Sequence, residues 1–584
     1  MSNKYLFLFT LGPVQSYIQQ SRKTDDLFAS SQILSLLSSY AMKAIKERNM
    51  ANDILFPNYY EDDKNPSYPN RCIAMVEEAD IAEMGEYVEQ YVRNSYEKLV
   101  GNYVGEAANS IVLREHLQIY WVFAEYHNNY IEAYNELEES MEMVKNLRTF
   151  EQNNSADYKA RLEQNKRSLR KCNLCGERFV LHYNSGKKYN TNYRLASYEG
   201  LCEVCLLKRM YRIKEESEEG FPSTSRIALS YWIKEMSDKT DFEEKYKQLK
   251  NLLGEEFSDE ILYGNLLAFD KKTENYMQVK QILKEIFKNQ QKIDVLKRRY
   301  YALLVFDGDN MGKWVSGAFF TQKMRDSGYG QKEVSRLLGE YAKWTKSYLH
   351  MKGEELGCVV YAGGDDFFGF VPLDHLFEVL QTLRQQFEEM INKQLLEYKS
   401  KEKVDISFSA GICIAHYKTP LDKVITEARN QEDVAKNHLL RIDDKELEKN
   451  AFSISLLKRS GEHITSSFSF KSYTGNDDVL SILNAIKIKM DNFSVNFIRV
   501  LDKEWSGRET KNFMSDRKDM ILSETKRLLG RSCINKGQND KEVEELFKEI
   551  SQLYLTCCAQ EDKFQNFISM LYIIEFLGRE LNDN

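Results

Sequence analysis

The sequence predicts an α+β protein with two ferredoxin-like domains, a zinc-bearing helical insert between them and an all-helical C-terminal domain. Three observations predict this. Strand and helix patterns alternate twice, once near the N-terminus and again after residue 300. Two Cys-x-x-Cys pairs lie between those stretches. Beyond residue 475 the apolar spacing is helical only, as in Leu480, Ile482, Leu483 and Ile486. The expected boundaries are 1–150, 151–295, 296–470 and 471–584.

The elements follow in order. Residues 4–10 read as a strand, and Gly12-Pro13 as a turn opening a helical pattern over 13–47. A strand at 71–77, a helix at 80–99 and an aromatic strand at 116–124 complete the first unit. Residues 130–171 are charged and helical in pattern, ending in a basic run with Arg161, Lys166, Arg167, Arg170 and Lys171. Residues 225–298 are helical and polar. The apolar run 301–306 has strand length and ends at Asp307. A helix at 331–350 precedes two strands, 357–361 and 367–372, that flank Ala-Gly-Gly-Asp-Asp as a hairpin. A helix at 375–397 and a strand at 405–415 close a β-α-β-β-α-β order.

Composition narrows the class. The chain has 584 residues, 42% hydrophobic and 29% charged, with a formal charge of −8. That suits a folded protein without a general positive coat, while leaving room for a local basic patch. No apolar stretch is long enough for a membrane span. The N-terminal apolar run lacks a cleavage site and reads as a strand, not a signal peptide. Ten Cys are too sparse for a disulfide scaffold, so a reducing cytoplasm is expected.

The two acidic turns carry the chemistry. Phosphoryl-type transfer needs the triphosphate held in line and its charge neutralised more than it needs covalent help. Divalent ions on carboxylates do both, and Mg²⁺ takes oxygen ligands. Glycines beside the acids let phosphates approach the backbone. Asp307-Gly308-Asp309 ends one strand, and Gly363-Gly364-Asp365-Asp366 forms the hairpin turn. Either turn alone is more often just a tight turn, or, for Asp-Gly-Asp, part of a calcium loop. A calcium loop starting at Asp307 fails, because Ala318 stands where the twelfth-position Glu is needed. Together, about 55 residues apart and at neighbouring sheet elements, the turns point to a palm-type, metal-dependent nucleotidyltransferase site.

At these residues the chain resembles a known family. The string from Tyr300 to Gly312 and the Ala-Gly-Gly-Asp-Asp hairpin are similar to the polymerase/cyclase subunit of type III CRISPR effector complexes, more closely the type III-B (Cmr) large subunit. Further resemblance lies in Gly12-Pro-Val-Gln-Ser-Tyr, Ser21 to Ser30, Pro69-Asn-Arg71, Tyr120-Trp121, Phe221-Pro-Ser223, Ser409 to Leu421 and Lys458 to Glu462. It spans roughly residues 1–470 in motif order. The palm is also similar to that of diguanylate cyclases.

The resemblance implies two palm domains packed around nucleotides, the second carrying the metals. Asp307, Asp365 and Asp366 are then Mg²⁺ or Mn²⁺ ligands and the catalytic residues, with Asp309 a weaker candidate. Gly308, Gly363 and Gly364 approach the nucleotide. Lys436 takes a phosphate, its alternative being a solvated helix lysine. Gln15 and Ser16 line a second nucleotide pocket. The implied activity is RNA-activated synthesis of an AMP-containing messenger from ATP, either a cyclic oligoadenylate or AMP joined to S-adenosylmethionine. The implied partners are other Cmr-type subunits, guide RNA and target RNA. Many relatives carry an N-terminal HD nuclease. Here the first palm pattern begins at residue 4 and no His-Asp dipeptide occurs, so DNase activity of that type is not expected.

Cys172, Cys175, Cys202 and Cys205 form two knuckles with the spacing of a closed, structural zinc site. A redox or incidental role is the alternative. Arg170, Lys171, Lys208, Arg209 and Arg212 flank them as candidates for RNA contact, or as a solvated surface. Cys72, Cys358 and Cys413 read as buried small residues, and His416 as structural. Two rivals stand beside the enzymatic reading: a catalytically silent structural subunit of the ribonucleoprotein, and a stand-alone nucleotide cyclase.

Overall fold

The computed structural model describes residues 3–60, 67–78, 80–105, 110–127, 129–147, 170–186, 189–211, 220–237, 240–254, 257–264, 274–287, 298–327, 329–350, 356–400, 405–442, 445–474, 478–507, 516–534, 539–560 and 563–581. The expected helical stretch after residue 147 lies outside them, with Arg161, Lys166 and Arg167, as does Arg212.

The first sheet is antiparallel, in the order β2-β3-β1-β4. Its strands are β1 (Asn3–Gly12), β2 (Asp53–Phe56), β3 (Arg71–Glu78) and β4 (Gln118–Glu125). Helices α1 (Gln15–Gln19), α2 (Thr24–Arg48) and α3 (Ile81–Val104) accompany it. The single helix expected over 13–47 is thus two, with a corner at residues 20–23. Asp25 and Asp26 occupy the first turn of α2, and Lys46 and Arg48 its last, matching the helix dipole. The Asp80 side chain accepts the Glu83 N–H and so starts α3. Strand β2 was not legible in the sequence, since four residues give too little periodicity. Helix α4 (Tyr130–Asn146) covers this sheet's outer side.

Between the sheets lie a small cysteine-bearing module and a helical group. The module holds β5 (His182–Tyr183), β6 (Gly200–Leu201) and α5 (Glu203–Met210). Helices α6 (Thr224–Ser237), α7 (Thr240–Leu253) and α8 (Glu274–Ile286) pack around Trp232, Leu249 and Leu283.

The second sheet has six strands, in the order β14-β13-β10-β7-β9-β8. They are β7 (Tyr300–Gly308), β8 (Cys358–Ala362), β9 (Phe367–Pro372), β10 (Phe408–His416), β13 (Ala451–Leu457) and β14 (His463–Ser469). A separate hairpin, β11 (Leu439–Ile442) and β12 (Lys445–Glu448), precedes β13. Helices α9 (Tyr329–His350), α10 (Leu376–Phe387) and α11 (Leu421–Lys436) connect the strands. Strands β13 and β14 go beyond the expected pattern, which ended at 415. Pairing of β13 is parallel to β10 and that of the other neighbours is antiparallel.

This sheet is covered on both faces, which is why 301–306 reads as an unbroken apolar run. Leu304 and Phe306 face a core shared with Leu483, Ile498, Leu553 and Phe567 of the C-terminal helices. Tyr301, Leu303 and Val305 face Leu27 of α2, Ile227 and Ala228 of α6, and Val424, Ile425 and Ala428 of α11. Among the described residues beyond 477, the elements are the helices α12 (Val479–Lys489), α13 (Asn496–Trp505), α14 (Lys518–Ser532), α15 (Asn539–Ala559) and α16 (Phe564–Leu581), with one 3₁₀ turn.

Helix α11 crosses β10 at Gly411 with almost no clearance. A Cβ there would stand 2.2 Å from both the Ala428 carbonyl oxygen and the Glu432 nitrogen. Both are backbone atoms of α11, so nothing can yield without moving the helix. The Gly411→Ala variant is expected to lose about 1–3 kcal/mol of stability, read as a lower urea midpoint. An unchanged midpoint would mean the crossing relaxes freely.

Candidate functional site

The acids meet where strand ends adjoin. Register places Asp307 opposite Ser409 on β10 and Phe306 opposite Phe367 on β9. Asp307 therefore closes the strand that lies beside the hairpin. In the hairpin, the Gly363 N–H donates to the Asp366 carbonyl at 3.0 Å. Gly364 has φ +112°, a conformation open to glycine but rare for other residues. A Cβ on Gly308 would lie 2.9 Å from the Asp365 Cβ. The two turns are thus in contact.

Helix α11 adds a second tier. Arg429, Glu432 and Lys436 lie on one face at i, i+3 and i+7. The Lys436 Nζ is 2.7 Å from Asp307 Oδ2 and 2.8 Å from Glu432 Oε1. Arg429 is 2.7 Å from Glu432 and 3.7 Å from Asp366 Oδ1. Arg429 and Glu432 were not singled out from sequence. Their helical spacing to Lys436, beneath a glycine in the preceding strand, was the available signal.

Four carboxylates, those of Asp307, Asp365, Asp366 and Glu432, face two cations. When all are ionised the cluster carries a net charge of −2. Its electrostatics reflect that excess. Burial, reinforced by the charges of Asp307 and Asp366, pushes the Asp365 carboxyl up to about 7. Burial pushes Asp366 up to about 6, against the pull of Arg429. Asp307 is raised by burial, with Lys436 opposing. The Asp366 Oδ1 is buried and has no hydrogen-bond donor among the described residues. A cation would answer this donorless oxygen and the cluster's charge deficit, but the acids do not form a preassembled ligand cage: among the described residues only the four cysteines do.

Asp309 is placed elsewhere. It is 3% exposed, and its carboxylate accepts from Ser407 Oγ at 2.6 Å, Ser409 Oγ at 2.8 Å and the Asn450 N–H at 3.0 Å. Three donors occupy it, so the expected role beside the nucleotide gives way to one of fixing the end of β7 against β10. The next residue, Asn310, has φ +58° and accepts from Lys449 Nζ at 3.1 Å.

Two cavities flank the hairpin. The larger, about 350 Å³, is lined by Phe56, Tyr60, Tyr68, Lys343, Lys346 and Gly363 among others. That volume is in the range of small-ligand sites. The second, about 80 Å³, lies between the α1–α2 corner and the second sheet. Gln15, Ser31 and Ser35 line one wall, and Tyr361, Asp366 and Arg429 the other. The Ser31 Oγ is buried without a partner among the described residues. Ser16 is exposed and is not in the lining of either cavity.

The four cysteines converge, with Sγ atoms all within 4.8 Å of one another. A tetrahedral zinc with Zn–S bonds of ~2.3 Å implies S···S separations of roughly 3.8 Å. The Cys175–Cys202 separation is 3.9 Å, so the donor set fits zinc. The flanking basic residues divide. Arg170 and Lys171 are exposed, whereas Lys208 and Arg209 are 1% and 2% exposed and turn inward. The last two are therefore excluded as RNA contacts. Cys72, Cys358, Cys413 and His416 are all buried. Among the described residues no helix is long and apolar enough to cross a membrane.

Comparison with known proteins adds the following. A family model described as Cas10/Cmr2, second palm domain, matches residues 300–453. A second, CRISPR-associated protein Cmr2, N-terminal, matches residues 6–101. The curated "CRISPR system Cmr subunit Cmr2" of Pyrococcus furiosus is 25% identical over 562 residues, covering 78% of this chain. The chain spans 61% of that relative's length. The solved type III-B Cmr-beta structure bound to cognate target RNA contains a chain similar at a TM-score of 0.65 and 14% identity, covering 98% of this chain and 83% of that one. In its apo state the values are 0.62, 14%, 98% and 82%. At such identity these structures show a shared fold.

Two outcomes test the site. Mn²⁺ affinity is expected to rise as pH increases from about 6 to 8 and then level off, because the cation must displace the protons that burial holds on Asp365 and Asp366. Calorimetry in buffers of different ionisation enthalpy reads the released protons, and a pH-independent affinity contradicts the assignment. Zinc should be found at one ion per chain by atomic absorption, and Cys202→Ser should lower it.

Proposed function

We propose that this chain, a member of the Cas10/Cmr2 family, is the large subunit of a type III-B RNA-guided antiviral complex and transfers AMP from ATP to an acceptor hydroxyl, releasing pyrophosphate. The observation that carries the reading is the cluster of Asp307, Asp365, Asp366 and Glu432, which with Arg429 and Lys436 is two positive charges short of neutrality, beside a cavity of small-ligand size. Its proposed assembly is with other Cmr-type subunits, guide RNA and target RNA, by extension from the similar structure, which was solved with cognate target RNA. We read the two sheet units, 1–150 and 296–470, as paired palms. The cysteine insert 151–295 then joins them, and 471–584 is the helical domain.

Asp307, Asp365 and Asp366 would hold Mg²⁺ or Mn²⁺. Bound there, such ions neutralise the triphosphate and make the attacking hydroxyl more acidic. The chain's own groups do the rest. The 350 Å³ cavity receives the adenosine of ATP, with Tyr60 and Tyr68 as apolar walls and Lys343 and Lys346 at its rim. Of the three expected phosphate-side glycines, Gly363 lines that cavity, whereas Gly308 and Gly364 are buried against Met311 and Leu338. Lys436, partly exposed beside Asp307, supplies a phosphate counter-charge. Glu432 keeps Lys436 and Arg429 aligned. The acceptor oxygen bonds to the α-phosphorus, the bond from that phosphorus to the bridging oxygen of the β-phosphate breaks, and the hydroxyl proton is given up to solvent.

Two acceptors fit the chemistry, a second ATP or S-adenosylmethionine. We read the smaller cavity, beside Asp366, as the acceptor side; its one cation, Arg429, is already paired with Glu432. Its other walls are apolar or uncharged except for Asp366. At about 80 Å³ that cavity would have to open to admit either acceptor, and its charge does not choose between them.

The Asp365→Ala, Asp366→Ala double variant should keep the complex assembled and lower ATP turnover by roughly 10²–10³ or more. The assembled complex is incubated with target RNA, Mn²⁺ and labelled ATP, with and without S-adenosylmethionine, and products are read by mass spectrometry. A product requiring S-adenosylmethionine supports conjugation, and one from ATP alone supports oligoadenylate synthesis. Untouched ATP in both arms favours the silent structural subunit. Preference for GTP favours the nucleotide cyclase.

A further inference from the structure

The cysteine module has no part in the chemistry above, yet it sends two buried cations under the wall of the acceptor-side cavity. Lys208 and Arg209 follow Cys205 on α5, whose N-cap is Cys202. The Lys208 Nζ donates to the carbonyl oxygens of Tyr17 and, at 3.1 Å, Gln20, and lies 3.8 Å from the centre of the Tyr17 ring. These carbonyls end α1, where no further helical N–H reaches them. Arg209 forks onto Asp26 at 2.7 and 3.0 Å and onto Glu199 at 3.0 and 3.1 Å. Asp26 is fully buried in the first turn of α2. One cation therefore holds the end of α1 and the other the start of α2, on either side of the corner at 20–23.

The two helices that the corner joins, not the corner itself, form the cavity wall. Gln15 and Ile18 of α1, and Ser31 and Ser35 of α2, face Asp366 and Arg429 across it. The neighbouring Asp25 accepts from Arg194 of the module at 3.1 Å and from the Phe221 N–H at 2.8 Å. Cys202 and Cys205 join the start of α5 to the four-cysteine cluster, and Lys208 and Arg209 join its end to α1 and α2.

We infer that Lys208 and Arg209 are positioning residues through which the zinc module sets the acceptor-side wall of the nucleotidyltransferase site. The inference rests on reading the Asp366 cavity as the acceptor site. It assigns the module's innermost cations to substrate geometry, not to RNA. The corner interrupts a stretch that the sequence alone would continue as one helix, as expected if the module imposes the break.

Lys208→Met keeps the length and apolar packing of the side chain and removes its donors. Asp26→Asn, remote from the thiolates, weakens the other half of the clamp. In the full-length zinc-loaded chain, both should keep one zinc. Amide hydrogen exchange over residues 15–20 should rise about tenfold, with strands 300–308 and 408–416 unchanged. In the assembled complex supplied with S-adenosylmethionine as acceptor, the KM for S-adenosylmethionine should rise about tenfold, with kcat and the KM for ATP within twofold. Unchanged exchange at 15–20 in both variants overturns the clamp. Zinc loss or a uniform rise in exchange in both assigns the pair to general folding and also overturns it. A loosened corner with an unchanged acceptor KM overturns the link to the acceptor. Absence of turnover in the wild-type complex removes the acceptor reading, while the exchange data still decide the clamp.

Discussion

Helix α11 rests on β10 at Gly411, with its backbone where a side chain would otherwise be. The candidate site depends on that contact. It sets the height of Arg429, Glu432 and Lys436 above the sheet and so brings two cations within reach of Asp307 and Asp366. A helix lifted by one methyl group would leave three half-buried carboxylates without their two cations. Their mutual repulsion would then be a cost with no offset.

The acids, in turn, are held by backbone devices more than by their own contacts. Gly308 lets Asp365 pack against the end of β7, and Gly364 turns the hairpin in a conformation rare outside glycine. Asp309, two residues from Asp307, is fixed by two serine hydroxyls and the Asn450 N–H. The result is a cluster poised against ionisation, as expected for a site completed by a cation. Burial favours the neutral form of these acids, and the pairing of β7 with β9 holds the two turns side by side.

The two sheets communicate through the intervening segments. The second sheet is covered on one face by the C-terminal helices, sharing one core with them. On the other it meets α2 of the first unit and α6. The cavity lined by Asp366 and Arg429 lies along this second contact. Its geometry is therefore set by how the first unit docks, and the cysteine module is wedged against the docking corner through Lys208 and Arg209.

The sequence by itself determined the local features: the strand ending at Asp307, the Gly-Gly-Asp-Asp hairpin, the two Cys-x-x-Cys knuckles and the long amphipathic helices. Each is encoded within a few residues by side-chain period, turn chemistry or ligand spacing. The short β2 and the added β13 and β14 escaped, because strand pairing depends on partners distant in sequence. Tertiary structure alone decided which charged residues belong to the site. Asp309 and Lys208 look available in the sequence and are buried in hydrogen bonds, whereas Glu432 looks like a solvated helix acid and lies at the centre. A charge takes its role from the elements that cross over it, and no local pattern records which elements those are.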